Sequence, residues 1–335
     1  MRIATAVALI FAATAMAFVA VRPSSAIAQS ASTQALPESN PILPLPPKKG
    51  ATRPAAPALA PNSPWQLLTN QPPVIDYTDC GPGNPILLTD GTVMLQDDGC
   101  QDWWKLTPDQ FGSYVNGTWT QLASTPAGYS PLYHSSAVLP DGRVIIEGGE
   151  YNFLSAVWTN LGAIYDPQID TWTMVNPPTG WSTIGDAQSV VLSDGTYMQA
   201  NCCTDQAALL NLSNFTWTPT GSGKFDVNDE EGWTLLPNKK VLTVDAYVFQ
   251  YDARGTNSEI YDPLAGSWST AGSTIVQLWD SAAHCGGKNH ASFEVGPGVL
   301  RPDGTVFYTG ASRCGAGHTA IYNSNTSGWT TGPDF

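Results

Sequence analysis

Short apolar segments alternate with turn residues along the chain from Trp65 onward, and the same order of segments returns several times. The clearest marker is an apolar segment, a two-residue turn and a second apolar segment. Asp-Gly at such a turn favours a β-hairpin with a type I′ turn, because both residues tolerate a positive φ. The five turns lie at Asp90-Gly91, Asp141-Gly142, Asp194-Gly195, Asn238-Lys239 and Asp303-Gly304.

A tryptophan that follows a small-residue turn is the second marker. These tryptophans are Trp65, Trp119, Trp172, Trp217, Trp268 and Trp329, at spacings of 54, 53, 45, 51 and 61 residues. A third marker, Ile-Tyr followed by Asp or Asn, precedes three of them, at Tyr165, Tyr261 and Tyr322. Each repeat is therefore predicted to form four antiparallel strands, a to d, with the two-residue turn between a and b and the tryptophan on d.

Four-stranded repeats of this length predict an all-β propeller, because a single blade cannot bury both of its faces and must stack on neighbours. Independent hairpins would leave the tryptophans and the Val/Ile strands exposed. Five complete repeats follow one extra N-terminal strand that carries Trp65. Because the last repeat already has its own d strand at Trp329, we expect an incomplete six- or seven-bladed ring whose final blades lie outside this chain. A closed five-bladed ring is the alternative.

Composition agrees with this fold and limits the partners. Only 13% of the 335 residues are charged, and the chain has 31 glycines and 27 prolines, which suits frequent turns better than long solvated helices. The 28 acidic and 14 basic residues give a formal net charge of −14. A field of that sign repels phosphate backbones and anionic lipid headgroups, so nucleic acid is excluded as a partner.

The first residues resemble an export signal rather than part of a fold. Arg2 precedes an apolar run at 3–21, and Ala26-Ile27-Ala28 forms a cleavage site. A transmembrane anchor is disfavoured by Arg22-Pro23 and that site, so no stable membrane insertion is expected after cleavage. The predicted organisation is a signal peptide at 1–28, a proline-rich disordered linker at 29–64 and a propeller domain at 65–335, in a secreted or periplasmic protein.

One repeat carries a family resemblance. The sequence from Asp141-Gly142 to Gly148-Gly149, followed by Tyr165-Asp-Pro and Trp172, resembles a kelch repeat. The segment from Tyr133-His134 through the same turn resembles the kelch propeller of galactose oxidase. That resemblance implies that a Tyr-His pair supplies two copper ligands and that a cysteine cross-linked to another tyrosine supplies a radical. Imidazole and phenolate both suit Cu(II).

The other strand-a starts carry no cysteine and no second tyrosine, so a complete copper-radical site cannot be assembled from this chain. Copper is therefore expected only under the alternative that the protein is an oxidase related to galactose oxidase, with Tyr133 and His134 as its ligands. The preferred prediction is a binding or scaffold module for a carbohydrate or a protein, without a catalytic role.

Propeller geometry predicts where a ligand binds. The start of strand a and the end of strand b share the face opposite the two-residue turn, and counting from each turn gives the residues there. Acids at loop ends often only cap turns in solvent. Alternatively they form an acidic pocket for sugar hydroxyls or a cation, Ca²⁺ before Mg²⁺. The predicted face carries Asp97, Asp98, Tyr133, His134, Asp186, Glu230, Glu231 and Asp245.

Six cysteines in an exported chain favour disulfides. In the predicted first blade, one cysteine precedes strand a and another follows strand b, so the two meet at one face. The last blade has the same arrangement. The predicted pairs are Cys80 with Cys100 and Cys285 with Cys314, while the adjacent Cys202 and Cys203 either form a vicinal disulfide or remain thiols.

Overall fold

The computed structural model describes residues 65–73, 80–246, 255–279, 294–311 and 317–335. Within them the chain forms 23 β-strands and no helix, which confirms the all-β prediction. Twenty of these strands build five four-stranded antiparallel sheets, and each sheet coincides with one predicted repeat. No helix in the described part of the chain has the length and apolarity needed to cross a membrane.

The blades follow one another along the chain. Blade 1 comprises β1 (Gly81–Leu87), β2 (Val93–Asp98), β3 (Trp103–Thr107) and β4 (Thr118–Leu122), and blade 2 comprises β6 (Ser135–Val138), β7 (Val144–Glu147), β10 (Gly162–Asp166) and β11 (Thr171–Val175). Blade 3 comprises β12 (Ser189–Val191), β13 (Tyr197–Ala200), β14 (Ala207–Asn211) and β15 (Thr216–Thr220). Blade 4 comprises β16 (Thr234–Leu235), β17 (Val241–Val244), β18 (Asn257–Asp262) and β19 (Ser267–Ser273), and blade 5 comprises β20 (Val295–Leu300), β21 (Thr305–Gly310), β22 (Thr319–Asn323) and β23 (Gly328–Thr331).

The predicted two-residue turns join the first two strands of every blade. In blade 2, Val138 pairs with Val144 across the turn, and the Arg143 backbone N–H donates to Asp141 Oδ1 at 3.1 Å. Gly142 has a φ of 88°, which a side chain disfavours. The same bond to the turn Asp or Asn recurs in the other four blades. The local sequence therefore fixes the strand register.

Alternate side chains of a strand bind the neighbouring blades together. On β7, Val144 and Ile146 pack with Trp103 of blade 1, whereas Ile145 packs with Tyr197 of blade 3. This follows from the two-residue period of a strand, which places successive side chains on opposite faces of the sheet. The innermost strands accordingly lie side by side in chain order, from β1 through β6, β12 and β16 to β20.

The repeated tryptophans of blades 2, 3 and 5 connect their blades to the preceding one. The Trp172 ring lies 5.1 Å from the ring of Tyr165 on the neighbouring strand, and its Nε1–H donates to the Ala123 carbonyl of blade 1 at 2.9 Å. Equivalent bonds run from Trp217 to the Asn176 carbonyl and from Trp329 to the Ala271 carbonyl. This explains why a tryptophan recurs on the outer strand.

Two features differ from the sequence-based picture. The extra N-terminal strand is not formed, because residues 65–73 contain no strand and Trp65 is 78% exposed. A small three-stranded sheet that was not predicted is inserted in blade 2, from β5 (Pro131–Leu132), β8 (Tyr151–Asn152) and β9 (Ser155–Ala156). In the described part of the chain, no contact comparable to those between successive blades joins β20 back to β1, so these five blades do not close a ring.

Two disulfides bear on the cysteine predictions. Cys80 is bonded to Cys100, as the blade geometry predicts, and Cys202 is bonded to Cys203, which is the vicinal alternative rather than two thiols. The predicted Cys285–Cys314 pair lies outside the described residues.

Candidate functional site

The starts of the inner strands of four blades line a cavity of about 330 Å³. Blade geometry predicts this, because every inner strand begins on the same face of the molecule. The lining combines polar side chains with apolar surface and includes one tryptophan. Its residues are His134 to Ser136 of blade 2, Asp186 to Ser189 of blade 3, Gly232 to Thr234 of blade 4, and Pro297 and Gly298 of blade 5.

Acidic side chains from all five blades gather around this face. Partial burial and then the charges of four acids raise the pKa of Tyr133, and these acids are Asp98, Glu150, Glu294 and Glu230. Burial and then the charges of Asp186 and Glu294 raise the pKa of Glu150 to about 7. Five acids of this mouth come one from each blade, and they are Asp98, Glu150, Asp186, Glu230 and Glu294. Every charge that shifts these pKa values belongs to another carboxylate.

Three carboxylates form the tightest part of the mouth. Oxygen atoms of Asp186, Asp229 and Glu230 lie within 4.8 Å of one another. Burial and then the charge of Asp186 raise the pKa of Glu230 to about 10, and burial raises the pKa of Asp186 to about 6. With one pKa near 6 and the other near 10, the Asp186 and Glu230 pair holds one proton near neutral pH. Below, these three residues are called the three-acid site.

Tyr133 and His134 have different surroundings although they are adjacent. Tyr133 has a φ of 54°, is 42% exposed and packs edge-on against Tyr151 at 6.0 Å. His134 Nε2 lies 3.0 Å from Asn84 Nδ2, and its ring lies 6.5 Å from that of Trp103. Burial lowers the pKa of His134 to about 4, so the ring is neutral. Among the described residues, no cluster of three His, Cys, Asp or Glu side chains includes His134.

Glu231 and Asp245, both predicted on the ligand face, lie instead in a buried ion network. Lys224 Nζ lies 3.2 Å from Glu231 Oε1, 3.5 Å from Asp245 Oδ1 and 2.7 Å from Glu259 Oε2, and all four side chains are buried. Burial alone would lower the pKa of Lys224, but these carboxylates raise it well above its usual value. These residues stabilise the loop beneath the mouth rather than lining it.

The remaining predicted residues belong to blade 1. The Asp98 carboxyl group lies against Gly83, in the space that a Cβ atom there would need. Burial raises the pKa of Asp98 to about 6. A carboxylate oxygen of Asp97 lies within 4.8 Å of the sulfurs of Cys80 and Cys100.

Sequence reasoning missed three mouth residues and the buried lysine. Glu150 lies just past the strand end that the count from the turn reached, and Glu294 and Asp229 lie one residue before the counted positions of their blades. Counting one residue further from each two-residue turn would have included all three. No comparable signal marks Lys224, since a lone lysine in a loop is ordinarily solvent-exposed.

Part of the chain is similar in sequence to a known protein. The chain is 30% identical over 130 residues to the Kelch-like protein terF of Aspergillus terreus, across 37% of this chain and 26% of that protein. This matched stretch is similar to a Kelch-like protein, and the five four-stranded sheets have the arrangement of propeller blades. The chain spans about a quarter of the length of this curated relative. No family model matches the chain.

Two solved structures share the propeller fold. One is a copper-bound fungal alcohol oxidase of the AA5 family, with a TM-score of 0.52 and 17% identity, covering 77% of this chain and 54% of the oxidase. The other is a catalytically inactive virginiamycin B lyase from Staphylococcus aureus with quinupristin, with a TM-score of 0.51 and 9% identity, covering 80% of this chain and 72% of the lyase. Identities this low establish the fold and nothing about the reaction.

Proposed function

We propose that this kelch-type propeller is an exported binding module that takes a carbohydrate at its acidic mouth through a bound calcium ion. The observation that carries the proposal is the convergence of one carboxylate from each of the five blades on one face. Carboxylates held together by a rigid scaffold repel one another, so their arrangement favours a bound cation. Flexible oxygen ligands from several chain segments suit Ca²⁺ better than the smaller Mg²⁺.

The adjoining cavity supports a sugar as the ligand. The hydroxyl-bearing residues Ser135, Ser136 and Thr234 line it together with Trp233. Gln188 Nε2 donates to Asn228 Oδ1 and Glu231 Oε2, while Gln188 Oε1 has no partner. Sugar hydroxyls both donate and accept hydrogen bonds, so they match such a mixed lining, whereas an apolar ligand would leave these polar groups unsatisfied.

Calcium binding is tested first by thermal melting. Binding to the folded state alone stabilises it by about 2.7 kcal/mol when the free ion is at 100 times Kd. We expect Ca²⁺ to raise the melting temperature of the parent protein and of Asp303→Asn, whose carboxyl lies at a two-residue turn. Asp186→Asn combined with Glu230→Gln should abolish the rise. If Ca²⁺ does not stabilise the parent protein, the calcium part of the proposal is wrong.

The pH dependence adds a second check on the same site. Asp186 and Glu230 have raised pKa values of about 6 and about 10, so a bound Ca²⁺ must displace one proton from the pair near neutral pH and two protons below about pH 6. Calcium affinity should therefore increase with pH, and it should increase more steeply below about pH 6 than above it. Calorimetry at pH 5.5 and 7.5 measures this difference.

A glycan panel probed with and without a chelator then tests the sugar. We expect calcium-dependent binding that Trp233→Ala weakens at least tenfold. The rival proposal is a copper oxidase related to galactose oxidase, with Tyr133 and His134 as its copper ligands. One equivalent of tightly bound copper, with hydrogen peroxide formed from alcohols or sugars, would favour the oxidase and overturn the binding module.

A further inference from the structure

The Cys202–Cys203 disulfide lies directly beside the three-acid site. It follows β13, the second strand of blade 3. The two sulfurs and a carboxylate oxygen of Asp229 lie within 4.8 Å of one another. Cys202 is buried, whereas Cys203 is partly exposed, so Cys203 is the more accessible residue of the pair. The bond packs in an apolar cluster that includes Trp233 of the cavity wall.

The loop that carries this disulfide is bonded to the segment bearing Asp229 and Glu230. The Asn228 backbone N–H donates to the Thr204 carbonyl at 2.7 Å. The Asn228 side chain donates to the same carbonyl at 2.9 Å and to the Gln206 carbonyl at 3.0 Å. Asn228 is 1% exposed, so these bonds are shielded from water. The position of Thr204 therefore sets the position of the two acids that follow Asn228.

The same loop is also bonded to the segment that bears Asp186. The Cys202 backbone N–H donates to the Ile184 carbonyl at 3.0 Å, and the Thr183 hydroxyl donates to the Cys202 carbonyl at 2.8 Å. Gly185 lies against Cys202, and a Cβ atom there would lie 2.9 Å from Cys202 Cβ. The disulfide loop thus lies between the two segments that supply the three-acid site and contacts both.

We propose that the Cys202–Cys203 disulfide is a site of reversible thiol–disulfide exchange with a dithiol reductant, and that its redox state sets the geometry of the three-acid site. The inference rests on the proposed function only for its effect on calcium. The redox state of this disulfide would then control ligand binding at the mouth.

The exchange follows ordinary disulfide chemistry. A thiolate of the reductant attacks Cys203 Sγ, the sulfur–sulfur bond breaks, and Cys202 leaves as a thiolate that takes up a proton. The second thiol of the reductant, after losing its proton, attacks the mixed disulfide and releases Cys203, which is protonated in turn. Two electrons and two protons enter the cysteine pair, and the reductant becomes a disulfide.

Reduction changes the loop because two sulfurs that are no longer bonded must separate to van der Waals contact. The Cys202 and Cys203 side chains must then rotate within the packed loop, and the backbone around them shifts, together with the Thr204 carbonyl that accepts from Asn228. We expect the segment 226–231 to lose protection and the three carboxylates to lose their fixed spacing. Calcium affinity, which depends on that spacing, should fall.

Hydrogen–deuterium exchange of the full chain tests the geometric step without any ligand. The protein carries Cys80→Ala and Cys100→Ala, so that a dithiol acts on Cys202–Cys203 as the remaining bond among the described residues, and differential alkylation confirms which thiols form. We expect amide exchange in 226–231 to accelerate at least tenfold on reduction and to return on reoxidation. Cys203→Ser should show the fast exchange without reductant.

Equal exchange of 226–231 in the oxidised, reduced and Cys203→Ser forms would overturn the inference, whatever the calcium result. Calcium titration of the oxidised and reduced forms separates the two proposals. An at least tenfold weaker affinity in the reduced form supports both. Absence of calcium binding in either form, combined with redox-dependent exchange, contradicts the proposed function and leaves the redox effect on the site established.

Discussion

The carboxyl group of Glu147 occupies the space that a Cβ atom on Gly162 would need, on the strand paired with its own. Glu147 is fully buried, and neither of its side-chain oxygens has a hydrogen-bond partner. Burial raises its pKa well above the usual value of 4.5, so the side chain is neutral in the folded protein. A buried acid of this kind makes stability depend on pH.

Replacing Glu147 should change the pH dependence of stability. Between about pH 4.5 and the raised pKa, Glu147 is ionised in the unfolded chain and protonated in the folded one. In this range the free energy of unfolding therefore falls as the pH rises, by about 1.4 kcal/mol for each pH unit. Glu147→Gln keeps the shape of the side chain but cannot titrate, so it should remove this dependence of stability on pH. Urea unfolding from pH 4 to 8 measures it, and identical slopes for parent and variant would contradict the prediction.

Gly162→Ala should destabilise the fold, because the added methyl group meets the Glu147 carboxyl group. Overpacking of a rigid core typically costs about 1–3 kcal/mol. The matched control is Gly328→Ala on β23, where a Cβ atom would meet its nearest neighbour at an ordinary 3.7 Å. Chemical denaturation compares the two. A smaller cost of Gly162→Ala in the Glu147→Ala background would show that the carboxyl group is the obstacle.

Lys224→Met should be strongly destabilising. It leaves Glu231, Asp245 and Glu259 buried without their cation, and breaking a buried ion pair costs about 3–5 kcal/mol. The loss should be largest near neutral pH, where the unfolded carboxylates are ionised, and should shrink as the pH falls below 4. Lys240→Met, which removes a partly exposed ion pair with Asp262, should change stability little. Equal effects of the two variants would contradict the prediction.

Trp172→Phe tests the connection between blades. It removes the hydrogen bond from Nε1 to the Ala123 carbonyl while keeping an aromatic ring, so we expect a loss of about 1 kcal/mol. Trp65→Phe is the control, because Trp65 is mostly exposed and belongs to no strand. Calorimetric melting of both variants measures the difference. If Trp65→Phe costs as much as Trp172→Phe, the bond between blades is not what the repeated tryptophan supplies.

Local sequence was sufficient for much of the fold. The turn at Asp141-Gly142 fixed the pairing of Val138 with Val144, because an Asx bond and a positive φ involve only neighbouring residues. The same reasoning located all five blades and the Cys80–Cys100 disulfide. Trp65 shows its limit. Trp65 matches the tryptophan marker, but the residues around it do not form a strand. A strand also requires a neighbouring strand to pair with, and a local motif does not show whether one is present.

The site shows the converse. Glu230 and Glu231 are adjacent and were predicted to share one face, yet Glu230 joins the mouth while Glu231 binds the buried Lys224. The sequence by itself determined where strands begin and turn, because those signals are local and repeat with each blade. Only the tertiary structure decided whether each carboxylate side chain points into the mouth or into the buried network, because that depends on charges and packing supplied by residues of other segments.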